Sequence, residues 1–135
     1  MKVKAHQKYY LKDGTLAPGT TTILSVLAKP ALIKWANNLG LKGIDSNKYR
    51  DEKAEIGTLA HYLIECELKG QTPDTSDYSK NQIDQAENSL LSFYEWMKNH
   101  KLEVIGSEMQ LVSEKYRYGG TVDCFGILDG VPTLI

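Results

Sequence analysis

The stretch Tyr118–Ile135, YGGTVDCFGILDGVPTLI, decides how the rest of the chain is read. Asp129-Gly130 stands between apolar runs. That is the strongest short-range hairpin signal, because a type I′ turn needs positive φ at both central residues. The first strand is apolar on both sides, with Thr121, Phe125 and Ile127 alternating with Val122, Cys124 and Leu128. A strand of that kind belongs inside a sheet. Asp123 lies in its middle, so a buried carboxylate is expected, costing roughly several kcal/mol unless a cation or another partner compensates it. A two-residue turn at Asp129-Gly130 pairs Leu128 with Val131, Gly126 with Thr133 and Cys124 with Ile135. It sets Asp123 opposite the residue that would follow Ile135.

Length and composition bound the rest. A chain of 135 residues suits one domain with one core. Its 41% hydrophobic and 24% charged content is that of an ordinary soluble globular protein. No apolar run approaches the roughly 20 residues that span a bilayer, so no membrane association is expected. The opening MKVKAHQKYY has no apolar core and does not read as a signal peptide. Cys66 and Cys124 make no disulfide framework and cannot by themselves hold a four-thiolate cluster, and a reducing cytoplasm is the expected compartment. Net charge is −1, but residues 1–53 hold ten Lys/Arg against four Asp/Glu, whereas residues 54–135 hold six against thirteen. A basic half beside an acidic half reads either as a polyanion track next to a cation site or as ordinary solvated lysines.

The order of elements points to an α+β fold, a central sheet with an antiparallel meander and helices packed on it. Lys8–Leu16 reads as a small hairpin turning at Asp13-Gly14. Thr20, Thr21 and Thr22 offer caps to a short helix over Ile23–Leu27. Pro30 opens a helix over Ala31–Leu39 that Gly40 should end, with Leu32 and Trp35 facing the core and Lys34 facing solvent. A long helix follows from about Tyr49 to Lys69, ended by Gly70, and another from about Ser79 to His100. The latter buries Ile83, Ala86, Leu90, Tyr94 and Met97, and its Phe93 and Trp96 read as core aromatics rather than a base-stacking surface. Glu103–Glu114 reads as a strand with Ile105, Met109 and Leu111 on one face and Val104, Glu108, Gln110 and Val112 on the other.

On the long helix Gly57, His61 and Glu65 recur every four residues and share one face. Glycine costs about 1 kcal/mol in a helix relative to alanine, and one turn from a histidine it leaves room beside the imidazole for a metal, a phosphate or a neighbouring backbone. The plainer alternative is helix packing over Gly57, with His61 a satisfied core histidine and Glu65 a surface acid. Asp123 and Glu108 have plain alternatives too, a salt-bridged acid at a sheet end and an edge-strand acid. Together His61, Glu108 and Asp123 would offer one nitrogen and two carboxylates. That mixture suits Mg²⁺ or Mn²⁺ and activation of water against a phosphodiester.

Gly57-Thr58-Leu59-Ala60-His61-Tyr62-Leu63-Ile64-Glu65 resembles the G-T-x-x-H-x-x-x-E helix of RecB-like and phage-type exonucleases in the PD-(D/E)XK superfamily. Tyr118-Gly119-Gly120-Thr121-Val122-Asp123 resembles their G-x-x-D strand. Pro18-Gly19-Thr20-Thr21-Thr22-Ile23-Leu24 with Lys34-Trp35-Ala36 is similar to the N-terminal segment of the phage members. The resemblance implies the restriction-endonuclease-like core, a central sheet flanked by helices, and Mg²⁺-dependent exonucleolytic cleavage of DNA in recombination or repair. It implies a bacterial or phage-infected cytoplasm, and DNA and a recombination protein as partners. It carries metal-ligand roles to His61 and Asp123 and supporting catalytic roles to Glu65 and Glu108. Lys29, Lys34 and Lys42, from the basic half, are the expected DNA contacts. The family's acid-x-Lys motif would fall after Ile135, so residues 1–135 are expected to be the N-terminal part of a longer nuclease domain, inactive alone. An unpaired edge on the third strand could recruit a second copy. The competing reading is a non-catalytic DNA-binding or protein-interaction domain on the same scaffold.

Overall fold

A computed structural model describes residue 2, residues 7–27 and residues 29–135. Of the first ten residues, read as no signal peptide, five lie outside that description. The fold is mixed α+β, with two small antiparallel sheets rather than one central sheet. Strands β1 (Tyr9–Tyr10) and β2 (Leu16–Ala17) form the expected hairpin, with Gly14 at positive φ in its turn. Strands β3 (Leu102–Ser113), β4 (Tyr118–Leu128) and β5 (Val131–Leu134) form the second sheet in that order, with β4 in the middle as its two apolar sides require. The hairpin register is the expected one: Leu128 pairs with Val131, Gly126 with Thr133, and Cys124 and Ile135 exchange backbone bonds of 3.0 and 2.8 Å. Asp129 and Gly130 both take positive φ, as a type I′ turn demands.

Four helices precede the meander: α1 (Thr20–Leu24), α2 (Pro30–Leu41), α3 (Ser46–Lys69) and α4 (Lys80–Met97). Helix α3 starts earlier than expected because Asp45 caps it, its carboxylate accepting from the amides of Asn47 and Lys48 at 2.8 and 3.0 Å. Gly70 ends it in the left-handed conformation. Ser79 and Gln82 form a capping box at the start of α4. The expected capping threonines are instead inside α1: Gly19 is the N-cap, and the Thr20 hydroxyl donates to the carbonyl of Gly119 at 3.0 Å. Helix α2 runs through Gly40 and ends before Gly43, whose positive φ and amide bond to Gly40 close the terminus.

Two expectations about packing change. Leu59, Ala60 and Leu63 of α3 meet Ala86 of α4 and Tyr78 between them, with Ile56, Tyr62, Ile83 and Leu90 around the edge. This main core lies between two helices, not between helices and sheet. Helix α2 buries no residue, and Leu32 (54% exposed) and Trp35 (37%) face outward or edge-on, with the Trp35 and Tyr49 ring centroids 6.4 Å apart. Lys34 is exposed, as expected.

Strand β3 departs from simple alternation. The ladder to β4 shifts between Val104 and Gly106, so Ile105 is an extra residue. Val104 pairs with Gly126 on one side of the shift, whereas Ser107 pairs with Cys124 and Met109 with Val122 on the other. Val104 and Glu108 therefore do not share a face.

Candidate functional site

Helix α3 buries Leu59, Leu63 and Cys66 on one face and turns Gly57, His61 and Glu65 toward a cleft on the other. A cleft of ≈ 960 Å³ lies between this face, strand β4 and the segment that carries α1. A Cβ on Gly57 would meet nothing within 4 Å, so the open space expected beside His61 is present. Strand β4 adds Thr121 and Asp123 to the same cleft, and β3 adds Glu108.

His61, Glu108 and Asp123 come together. Nδ1 of His61 lies 3.5 Å from Oδ1 of Asp123. Each of the three residues offers one ligand atom, and the three atoms lie within 4.8 Å of one another. Glu108 has φ = 50°, a backbone conformation costing roughly 1–2 kcal/mol for a non-glycine residue. It faces Asp123 because the flanking pairs Ser107–Cys124 and Met109–Val122 leave those two residues opposite each other. Partial burial, then the nearby charges of Glu65 and Asp123, push the Glu108 carboxyl above the usual carboxylate range, against the opposing pull of His61 and Lys69. Burial, followed by the Asp123 charge, likewise raises the Cys124 thiol.

Asp123 is not buried: its side chain is 55% exposed and that of His61 58%. The expectation took the apolar neighbours in β4 as a sign of cover on both sides. In the fold, the face holding Thr121 and Asp123 opens on the cleft, so solvent and His61 replace the expected desolvation. Glu65 lies at the cleft wall, paired with Lys69 one turn further along α3, and stands outside the three-donor set. Lys29, Lys34 and Lys42 are exposed at and around α2, and none of them lines the cleft. Among the described residues no lysine or arginine does.

The far wall is uncharged and was not anticipated. It consists of Thr20, Thr21 and Thr22, with Tyr9 and Gln7 beside them. The hydroxyls of Tyr9 and Thr121 share a hydrogen bond of 2.9 Å, and the amide of Gly119 donates to the Pro18 carbonyl at 2.9 Å. Gly119 and Gly120 were the available signal. Glycines inside a strand mark a close backbone approach, and here a Cβ on Gly119 would strike Tyr9, and one on Gly120 would lie 3.0 Å from the Thr20 hydroxyl.

The donor set fits a hard or borderline divalent cation. Donors at about 2.1 Å from one ion stand about 3 Å apart when adjacent and about 4.2 Å when opposite, so the three atoms, now within 4.8 Å of one another, would draw together to share one ion. One imidazole and two carboxylates suit Mn²⁺ or Mg²⁺ and leave coordination positions open toward the cleft.

No protein-family model matches the chain, and no curated protein or solved structure matches it.

Proposed function

We propose that this chain is the metal-binding part of a PD-(D/E)XK-type DNA nuclease, an exonuclease acting on DNA phosphodiesters in the cytoplasm of a bacterium or an infected host. The observation that carries the reading is the convergence of His61, Glu108 and Asp123 at one cleft. They come from a helix and two strands, in the order the motif resemblance requires. Mg²⁺ or Mn²⁺, held by these three residues, would polarise the phosphoryl group and lower the pKa of a bound water.

The chain's own residues have separate tasks in this reading. His61 offers a ring nitrogen, and Asp123 supplies a carboxylate beside it. Glu108 holds its proton longer than an ordinary glutamate and gives it up on metal binding. Glu65 keeps Lys69 beside the acids, where its charge partly offsets theirs. The threonine wall donates hydroxyl hydrogen bonds to phosphodiester oxygens without a formal charge. Lys29, Lys34 and Lys42 hold the DNA backbone outside the cleft, and a recombination protein is the expected partner.

Within residues 131–135 there is neither an acid nor a lysine. The test is cleavage of linear DNA by the natural polypeptide that carries these residues. Mn²⁺- or Mg²⁺-dependent cleavage that Asp123→Asn abolishes is expected. A natural polypeptide that binds Mn²⁺ at this site and leaves every DNA substrate intact would overturn the nuclease reading in favour of a binding domain.

A further inference from the structure

Behind the three donors lies a second, smaller cavity. It measures ≈ 160 Å³, and its apolar lining comes from Ile64 and Leu68 of α3, Phe93 of α4, Leu102 of β3 and Ile135. His61, Glu65, Glu108 and Asp123 line this slot as well as the cleft, so they form the partition between the two. One side of the partition is roomy and carries the hydroxyls, and the other is narrow and mostly apolar.

We infer, resting on the phosphodiester site proposed above, that this slot receives one single-ring base, the pyrimidine of a nucleotide whose phosphate lies in the cleft. The size argument comes first. A cavity of about 150 Å³ lined by leucine, isoleucine and phenylalanine holds one benzene ring. A slot of ≈ 160 Å³ whose apolar part has the same kind of lining matches one six-membered ring better than the two rings of a purine. The chemistry argument is the partition. A ligand that places a flat apolar surface on one side and an anionic group on the other, a few bonds apart, is a nucleotide. Phe93 supplies an aromatic contact for the base, and every base has a π-face to offer it. A base can enter only from an unpaired strand, so the slot selects a single-stranded or unstacked end.

The experiment compares three ligands on the full chain with Mn²⁺ present: thymidine 5′-monophosphate, deoxyadenosine 5′-monophosphate and 2-deoxyribose 5-phosphate. Calorimetry or ligand-observed NMR reads the affinities. Thymidine monophosphate should bind about tenfold or more tightly than the abasic sugar phosphate, the range that stacking a base on an aromatic gives. It should also outbind the purine nucleotide. Leu68→Trp, which fills the slot, should erase that advantage. Equal affinities for thymidine monophosphate and the sugar phosphate, with Mn²⁺ bound, would overturn the slot and leave the metal site standing. A purine nucleotide binding as well as the pyrimidine would overturn the size argument. Failure to bind Mn²⁺ at all would overturn the proposed function and this inference with it. The nucleotide comparison needs no variant, so a Leu68→Trp protein that does not fold leaves the test intact.

Discussion

Glu108 stands directly across the β3–β4 ladder from Asp123, between the pairs Ser107–Cys124 and Met109–Val122. That register is set at the other end of the hairpin, where Ser113 pairs with Tyr118 and the Arg117 amide donates to the Ser113 carbonyl at 2.8 Å. Two acids placed opposite each other repel, and a histidine at 3.5 Å from one of them offsets only part of that repulsion. A cation at the proposed site would relieve that repulsion.

Glu108→Gln should show that conflict directly. The Glu108 carboxyl is raised in the fold, so the folded chain binds more protons than the unfolded chain between the two pKa values. Stability therefore falls as pH rises through the ordinary carboxylate range to the raised folded value. Above that window Glu108→Gln should melt slightly higher than the parent, by roughly 1–3 °C, and below it the two should converge. Mn²⁺ should restore the parent's stability and not the variant's. Thermal melts at acid and neutral pH, with and without Mn²⁺, check this.

Two glycines should respond oppositely to the same change. Gly57→Ala adds a methyl group in open space on α3 and should stabilise by about 0.5–1 kcal/mol. Gly119→Ala drives a methyl group into Tyr9 and should destabilise by about 1–3 kcal/mol, loosening the β1–β2 hairpin from β4. Denaturant melts of both variants measure the difference.

The β4–β5 turn is tied to the end of α4 by Asp129. Its carboxylate lies 2.6 Å from Nδ1 of His100 and accepts from the Lys101 amide at 2.7 Å, and these two bonds, the His100 contact foremost, hold its pKa below the ordinary value. The sign is that of a depressed acid. The contribution is fully present above the unfolded pKa and is lost as pH falls through the lowered folded value. Asp129→Asn, which still tolerates the positive φ, should flatten the acid limb of the stability profile, and an acid limb unchanged by the substitution would count against the latch.

The elements that could be read in the sequence were those with local chemistry: Asp129-Gly130 for the hairpin and Gly70 for the α3 end. His61 facing Asp123 was legible because its face repeats every four residues and Asp123 interrupts an apolar strand. The exposure of Asp123 was not legible, since alternation says which way a side chain points and nothing about what covers it. The bulge at Ile105 leaves no composition signal, so the shared face assigned to Val104 and Glu108 was wrong. Helix α2 was misjudged for a related reason. Leu32 and Trp35 have a core helix's spacing, but what they face is settled by tertiary contacts that no local pattern encodes. The uncharged wall, by contrast, could have been suspected from Gly119 and Gly120.

Charge reversal at Lys29, Lys34 and Lys42 tests the proposed DNA track separately from the site. The triple variant in the natural polypeptide should bind DNA more weakly and with a shallower dependence on salt, because each lost phosphate contact releases one fewer counterion. A salt slope equal to the parent's would move the track away from α2.

The most direct measurement is Mn²⁺ binding followed by electron paramagnetic resonance, on the parent chain and on Asp123→Asn. One Mn²⁺ per chain is expected, bound more weakly by at least about tenfold once the Asp123 carboxylate is replaced, the order of loss seen when a metal site loses a contributing group. His61→Ala should lower the affinity in the same direction. No bound Mn²⁺ at millimolar concentration, or an affinity that Asp123→Asn leaves unchanged, would contradict a metal site made of His61, Glu108 and Asp123.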